Sequence, residues 1–247
     1  MSHPTPRVIL VTGAARRIGA AIARALHAQG DRLVLHCRGS RADADSLAAE
    51  LNSARPDSAR VLCADLLDVD ALPALARDAH AQWGRLDALV NNASSYFATP
   101  LTELTPAQFD DLLGTNLRAP LFLSKACAPL LAEGGSIVNI LDTQARRPFA
   151  GFSAYLAAKS ALWTLTEALA LELAPRLRVN GVAPGHMVWA DQPQFTPERQ
   201  AQEVARIPMQ RLGGPDEIAH AVRFVLSPEA RYMTGAVVPV DGGLRLG

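Results

Sequence analysis

The sequence predicts an α/β protein: one domain, a doubly wound, parallel, seven-stranded sheet with helices on both faces. Two observations carry this. Short continuous apolar runs alternate with helix-like stretches from end to end, and no linker, internal repeat or low-complexity stretch breaks the alternation. Strands that are apolar throughout, rather than polar at every second residue, belong in a parallel sheet covered on both sides. The 247 residues are 49% hydrophobic and 19% charged, enough apolar material for one large core.

Val8–Thr12, bounded by Gly13, reads as the first buried strand, and Ile18–Gln29 as a helix that stops at Gly30, a residue suited to a C-terminal cap. Arg32–His36 is the second strand, Ala42–Ser53 a helix, and Arg60–Ala64 the third strand. Leu72–Trp83 is a helix and Ala88–Asn91 the fourth strand. Pro106–Leu130 holds one long or broken helix. Ser136–Leu141 follows Gly134-Gly135 as the fifth strand, and Phe152–Leu173 is a long helix. Arg178–Val182 and Ala236–Val240 complete the set. Gly185–Met209, rich in Pro and Gln, is expected to be an irregular lid or mobile segment over the substrate, with His186, Met187 and Trp189 lining it. In such a sheet, ligands sit beyond the carboxyl ends of the strands.

Composition excludes more than it assigns. Lys and Arg total 24 against 24 Asp and Glu, so no basic excess points to nucleic acid or a membrane surface. Cys37, Cys63 and Cys127 are sparse and show no CxxC spacing, which fits a reducing cytoplasm without a disulfide framework. The histidines form no metal-spaced cluster, so no metal is expected. No apolar run approaches the roughly 20 residues that cross a bilayer, and Met1 to Arg7 lacks the apolar stretch of a signal peptide. A cytoplasmic protein is therefore expected.

Thr12-Gly13-Ala14-Ala15-Arg16-Arg17-Ile18-Gly19 ends the first strand and opens the first helix. That is the setting of a Rossmann-like dinucleotide turn, in which glycines allow a sharp bend and close helix packing while free N–H groups attract pyrophosphate. Gly13, Arg16, Arg17, Ile18 and Gly19 are the candidate cofactor contacts there. The second strand ends His36-Cys37-Arg38-Gly39-Ser40, without the carboxylate that usually binds an NAD ribose. Arg38 with Ser40, next to His36, suits a 2′-phosphate and so NADP, although Arg38 also fits an ordinary surface arginine.

Tyr155 and Lys159 lie four apart and share a helix face. An ammonium near a phenol, whose ordinary pKa is about 10, is expected to lower it and make it a usable general acid. Lys159 is one of only two lysines in an arginine-rich chain, the other being Lys125.

Together the Gly13/Gly19 turn, Asp65-Leu66, Asn91-Asn92-Ala93, Asn116, Tyr155/Lys159, Pro184-Gly185 and Val240-Asp241-Gly242-Gly243 resemble, in order and over essentially the whole chain, the short-chain dehydrogenase/reductase family. The resemblance implies that Asp65 contacts the adenine, that Asn92 supports the sheet and cofactor, and that Asn116 holds a water in a relay through Lys159 to Tyr155. It makes Leu66, Ala93, Ser94, Pro184 and Gly185 further cofactor candidates, and it implies a homotetramer joined through the helices that carry Asn116 and Tyr155.

Two positions depart from the family pattern. Arg17 replaces the middle glycine of the turn, and Asp142, thirteen residues before Tyr155, replaces the usual serine. Either substitution could be damage. A serine hydroxyl donates to a carbonyl, however, whereas an aspartate repels a bare carbonyl oxygen and suits ring N–H or amino donors; when protonated it can also deliver a proton to a ring nitrogen. With the Asn91-Asn92-Ala93-Ser94-Ser95-Tyr96 stretch, these positions resemble the pteridine reductases of the family, and bacterial dihydromonapterin reductases are similar. The resemblance implies a pterin stacked against Tyr96, with Arg17, Ser94, Asp142, Tyr155 and Met187 as substrate contacts. NADPH-dependent reduction of a pterin or folate substrate is the expected activity, with Asp142, Tyr155, Lys159 and Asn116 catalytic. A 3-oxoacyl-thioester or other carbonyl reductase is the alternative, and a non-catalytic NADPH-binding protein a further one.

Overall fold

Four consecutive aliphatic residues, Val8–Val11, form strand β1, and all four are fully buried. Their side chains alternate between two separate cores. Ile9 and Val11 pack with Ile22, Leu26, Ile218 and Val222 on one face; Val8 and Leu10 pack with Leu72, Leu75, Leu123 and Leu169 on the other. At roughly 1.5–3 kcal/mol for each fully buried large aliphatic side chain, this two-sided burial is what commits the strand to the middle of a sheet.

A computed structural model describes residues 6–187 and 196–246. Its elements run β1, α1 (Arg17–His27), β2 (Arg32–Cys37), α2 (Arg41–Ala54), β3 (Ala59–Cys63), α3 (Leu72–Ala81), β4 (Leu86–Asn91), α4 (Pro106–Leu113), α5 (Ala119–Cys127), β5 (Leu131–Ile140), α6 (Ser153–Leu173), β6 (Arg178–Pro184), α7 (Pro197–Ala205), α8 (Pro215–Leu226) and β7 (Val237–Val240). The strands form one seven-stranded sheet in the order β3-β2-β1-β4-β5-β6-β7, with every pair parallel. The expected doubly wound, Rossmann-like architecture is the one observed. The order reverses between β1 and β4, which opens a crevice beyond their carboxyl ends. Among the described residues no helix is long and apolar enough to cross a membrane.

Of the two forms expected over 106–130, one long or one broken helix, the broken one is observed, and two other segments differ from expectation. Between α4 and α5, Gly114–Arg118 is π-helical, because the Asn116 amide donates to the Leu112 carbonyl at 2.9 Å, the acceptor that an α-helix would give to the N–H of residue 116. Part of the segment expected to be irregular is helix α7, started by Thr196, whose hydroxyl accepts from the Arg199 N–H, with Pro197 at the first helical position. Helix α8 has no counterpart in the sequence expectation. Pro215 opens it, the Glu217 carboxylate accepts the Gly214 N–H, and Ile218, Val222 and Val225 bury one face against α1 and the sheet.

A polar chain runs through the second core. Asn91 Nδ2 donates to Asn139 Oδ1 at 2.8 Å and to Ser124 Oγ at 3.2 Å; Asn139 Nδ2 donates to Thr166 Oγ1 at 2.9 Å, which donates to the Leu162 carbonyl at 2.8 Å. It ties β4, β5, α5 and α6 together with every member buried. Asn139→Ala removes the central link and leaves the Asn91 amide and Thr166 short of partners. A loss of about 2–4 kcal/mol is expected as a lower urea midpoint at unchanged slope. A variant as stable as the parent would show that the chain contributes nothing.

Candidate active site

Each strand around the crevice ends in a residue that lines one cavity of about 440 Å³, within the size range of cofactor and substrate pockets. β1 leads to Gly13, β2 to Arg38, β3 to Asp65 and Leu66, β4 to Asn92–Tyr96, β5 to Leu141 and Asp142, and β6 to Pro184–Met187. Arg16, Arg17, Ile18, Gly19, His36, Tyr155 and Lys159 also line it. Of the candidate contacts, Ser40 and Asn116 stand outside the lining. Ser40 stands at the N-cap of α2, without a side-chain capping hydrogen bond, and Trp189 lies outside the described residues.

One end of the cavity is built for backbone contact. Gly13 has φ +62°, and a Cβ there would press on Ala93. At Gly19 a Cβ would collide with the Gly13 carbonyl, with Asn92 Nδ2 at 2.7 Å and with Ala14 Cα at 2.9 Å. Asn92 closes the same joint: its Nδ2 donates to the Thr12 and Gly13 carbonyls at 2.9 and 3.1 Å, while Thr12 Oγ1 accepts the N–H groups of Asn92 and Ala93. The result is a turn pinned across the switch point with the amino end of α1 facing the cavity, a cradle that fits a pyrophosphate. Arg17, where the family pattern has glycine, takes φ +52°. The backbone keeps the left-handed conformation that glycine adopts freely, so the arginine side chain is held there at a cost in strain.

His36 sits beneath the turn. The Gly13 N–H points at its Nδ1 at 3.4 Å, so Nε2 carries the proton and donates to the Ala64 carbonyl at 3.1 Å. Burial pulls its pKa down to about 4. Arg38 stands 4.0 Å from Asp65, with 61% of its side chain exposed, and Arg16 pairs with Asp43 at 2.6 Å. Asp65 also caps its own turn, accepting the Leu67 N–H at 3.0 Å.

The other end is chemical. The Tyr155 hydroxyl donates to Asp142 Oδ2 at 2.8 Å, and Asp142 Oδ1 accepts the Gln144 N–H at 2.8 Å. Lys159 Nζ donates to the Ile140 carbonyl at 2.9 Å. Desolvation raises the Asp142 carboxyl above its ordinary range, opposed by the Gln144 N–H, the Tyr155 hydroxyl and Lys159. Desolvation also pulls Lys159 down to about 8, with Asp142 opposing. Tyr155 corrects the sequence expectation: its pKa is not lowered by Lys159 but pushed well above the usual phenol value, first by burial and then by the Asp142 charge and hydrogen bond. The tyrosine is thus held as a protonated donor.

Asn116 is fully buried, its Oδ1 accepting from Ser94 Oγ at 2.7 Å and its Nδ2 donating to the Ser95 and Leu112 carbonyls. Its side chain thus fixes the Ser94-Ser95 loop. Tyr96 packs face to face with Phe152 and edge-on to Tyr155, both at 4.9 Å between ring centres. Glu203, from α7, lies 3.5 Å from His186. Among the described residues, no group of three or more His, Cys, Asp or Glu could hold a metal ion.

Comparison with known proteins places the chain among the short-chain dehydrogenases/reductases. The profile of the enoyl-(acyl carrier protein) reductase family matches residues 13–245. The chain is 40% identical to pteridine reductase 1 of Leishmania tarentolae, over 99% of this chain and 98% of that protein. It is 37% identical to L-xylulose reductase of Bos taurus, over 96% of each. It is 33% identical to a 3-oxoacyl-[acyl-carrier-protein] reductase of Staphylococcus aureus, over 95% of this chain and 96% of that one.

The buried imidazole has a consequence for stability. An unfolded histidine titrates near 6.5, whereas folded His36 stays neutral to about 4. Between these values the unfolded chain binds the extra proton. The contribution of His36 is therefore complete above about pH 6.5 and is lost as the pH falls towards 4, by roughly 3 kcal/mol in all. Urea melts from pH 7 to 4 should show a shallower pH dependence in His36→Asn than in the parent. Equal slopes would contradict the assignment.

Proposed function

The chain belongs to the short-chain dehydrogenase/reductase family and is an oxidoreductase; from that premise we propose that it uses NADPH to reduce the C=N bond of a pterin, of the dihydropterin or dihydrofolate kind. The observation that carries the reading is Asp142, hydrogen-bonded at 2.8 Å to Tyr155 at the position where the family pattern has a serine. A carboxylate facing the reacting centre opposes a bare carbonyl oxygen and favours a heterocycle that presents ring N–H and amino groups. Similarity to a pteridine reductase supports the same substrate class.

The cofactor reading rests on fit. Gly13, Gly19 and Asn92 shape the pyrophosphate cradle, and Arg38, with no carboxylate in its place at the end of β2, suits a 2′-phosphate. NADPH, when bound, supplies the hydride. Tyr155 gives its hydroxyl proton to the ring nitrogen next to the reduced carbon, and Asp142 sets the direction of that hydroxyl. Lys159, with a pKa near 8, can return a proton to the tyrosinate at neutral pH. Asp142 in its protonated form would serve the same purpose for a fully oxidised pterin ring. Tyr96, stacked on Phe152 at the cavity wall, offers an aromatic surface to a flat substrate. Leu171 on α6 and Phe109 on α4 are exposed apolar residues on the helices through which we infer a homotetramer; light scattering at the mass of a monomer would refute that state.

A carbonyl reductase is the second reading, favoured by the L-xylulose and 3-oxoacyl-carrier-protein reductases among the relatives. NADPH oxidation with dihydrobiopterin, dihydromonapterin, dihydrofolate and a 3-oxoacyl thioester separates the two. Turnover of at least one pterin is expected, with the thioester slower by roughly a hundredfold or more. Thioester turnover with no pterin turnover would defeat the proposal.

Two further outcomes are expected. Tyr155→Phe should lower kcat by roughly 10²–10⁴ while NADPH still binds, as titrated by fluorescence; a variant of normal activity would remove Tyr155 as the acid. Because protonated Lys159 is the working form, kcat should be constant on the acid side and fall as the pH rises through about 8. A rate that instead increases across that range would contradict the role given to Lys159.

A further inference from the structure

Cys37 and Cys63 are the last residues of β2 and β3, and they are direct partners in the parallel register. Registered partners project from the same face, and neighbouring strands lie about 4.7–4.9 Å apart, inside the Cα separation of about 4.4–6.8 Å that a disulfide spans. The two sulfurs are already 3.3 Å apart. Cys63 is exposed and Cys37 buried, and the Arg41 guanidinium, which also pairs with Asp45, lies 3.7 Å from the Cys63 sulfur. Neither cysteine lines the cavity, but both adjoin its cofactor end. Arg38 follows Cys37. Ala64, whose carbonyl holds His36, follows Cys63, and Asp65 comes next.

We propose that Cys37 and Cys63 form a redox modification site, oxidised by peroxide to a disulfide that loosens the grip on the nucleotide. This rests on the reading of that end as the NADPH 2′-phosphate side. In the first step the Cys63 thiolate attacks one peroxide oxygen, the O–O bond breaks, and hydroxide leaves and is protonated to water, giving a sulfenic acid. In the second step the Cys37 sulfur attacks the sulfenic sulfur, the S–O bond breaks, the Cys37 proton is released, and a second water leaves. Overall, two thiols and one hydrogen peroxide give one disulfide and two waters. Cys63 attacks first because it is the accessible sulfur beside Arg41. Burial and the hydrogen bond with Cys63 push the Cys37 thiol up to about 12, so Cys37 does not make the first attack. Closure from 3.3 Å to the bonded S–S distance of about 2.05 Å turns the Cys63 sulfur towards Cys37 and away from Arg41. Arg38 and Asp65 follow these two cysteines by one and two residues, so the change is felt at the cofactor end.

The test is to treat the NADPH-binding protein with hydrogen peroxide and follow it by intact mass, peptide mapping and NADPH titration. The expected product is two hydrogens lighter, carries a Cys37–Cys63 crosslink, binds NADPH about tenfold more weakly, the size of one lost charge-assisted contact, and recovers fully with dithiothreitol. Cys37→Ser and Cys63→Ser should bind NADPH as the reduced parent does, with or without peroxide. Unreacted thiols, oxygen added to Cys63 with no crosslink, or a crosslinked protein of unchanged affinity would each overturn the inference. A reduced protein that binds no NADPH would defeat the cofactor reading and this consequence together. Failure to crosslink in a protein that does bind NADPH defeats this inference alone.

Discussion

Asp142, Tyr155 and Lys159 compete for charge in one desolvated space, and the end of β5, the loop after it and helix α6 hold them there. The carboxyl is pushed up, the phenol is pushed well up and the ammonium is pulled down to about 8. Burial is the leading cause in each case. Asp142 and Lys159 oppose that burial by favouring each other's charged form, while the Tyr155 hydroxyl donates to the carboxylate at 2.8 Å. A substrate entering this space meets an acceptor and a proton donor already aimed at each other. One that brings its own N–H donors relieves the carboxylate; one that brings only a carbonyl oxygen does not.

The rest of the fold supplies position. Because β1 and β4 are adjacent and parallel, the turn after β1 lies against the end of β4, and Asn92 and Thr12 lock the two together. The contact is so close that Gly19 admits no side chain. His36 extends the same lock from β2 to the turn and to β3. On the other side, the chain Asn91–Asn139–Thr166 fixes α6 to the sheet, and Ser160 Oγ donates to the Ala145 carbonyl at 2.7 Å, tying that helix to the loop that begins with Asp142. The nucleotide end and the proton-donating end are thus held by separate polar joints within one sheet.

The strands were legible because burial on both faces leaves an unbroken apolar signature, as in Val8–Val11. The candidate site was legible largely through unusual residues in fixed places: glycines after a strand, a tyrosine four before a scarce lysine, an aspartate for a serine. Helix α8 is marked in the sequence only weakly, by Pro215, Glu217 and the spacing of Ile218, Val222 and Val225. Other features depend on distant pairing that spacing does not encode. Asn139 meets Asn91 only because β4 and β5 are in register, and Cys37 meets Cys63 only because β2 and β3 are. The direction of the Tyr155 shift needed depth of burial, since the proximity of a lysine alone implies the opposite sign. The other lysine, Lys125, stands 5.8 Å over the Phe122 ring.

The choice between a nitrogen heterocycle and a carbonyl is assigned to a single side chain, so the most direct measurement is the ratio of kcat/KM for a dihydropterin to that for a 3-oxoacyl thioester, in the parent and in Asp142→Ser. Serine restores a hydroxyl donor and removes the carboxylate while Tyr155 and Lys159 stay in place. The ratio should fall by roughly a hundredfold or more, with loss on the pterin and gain on the thioester. An unchanged ratio would contradict the role of Asp142 in selecting the substrate.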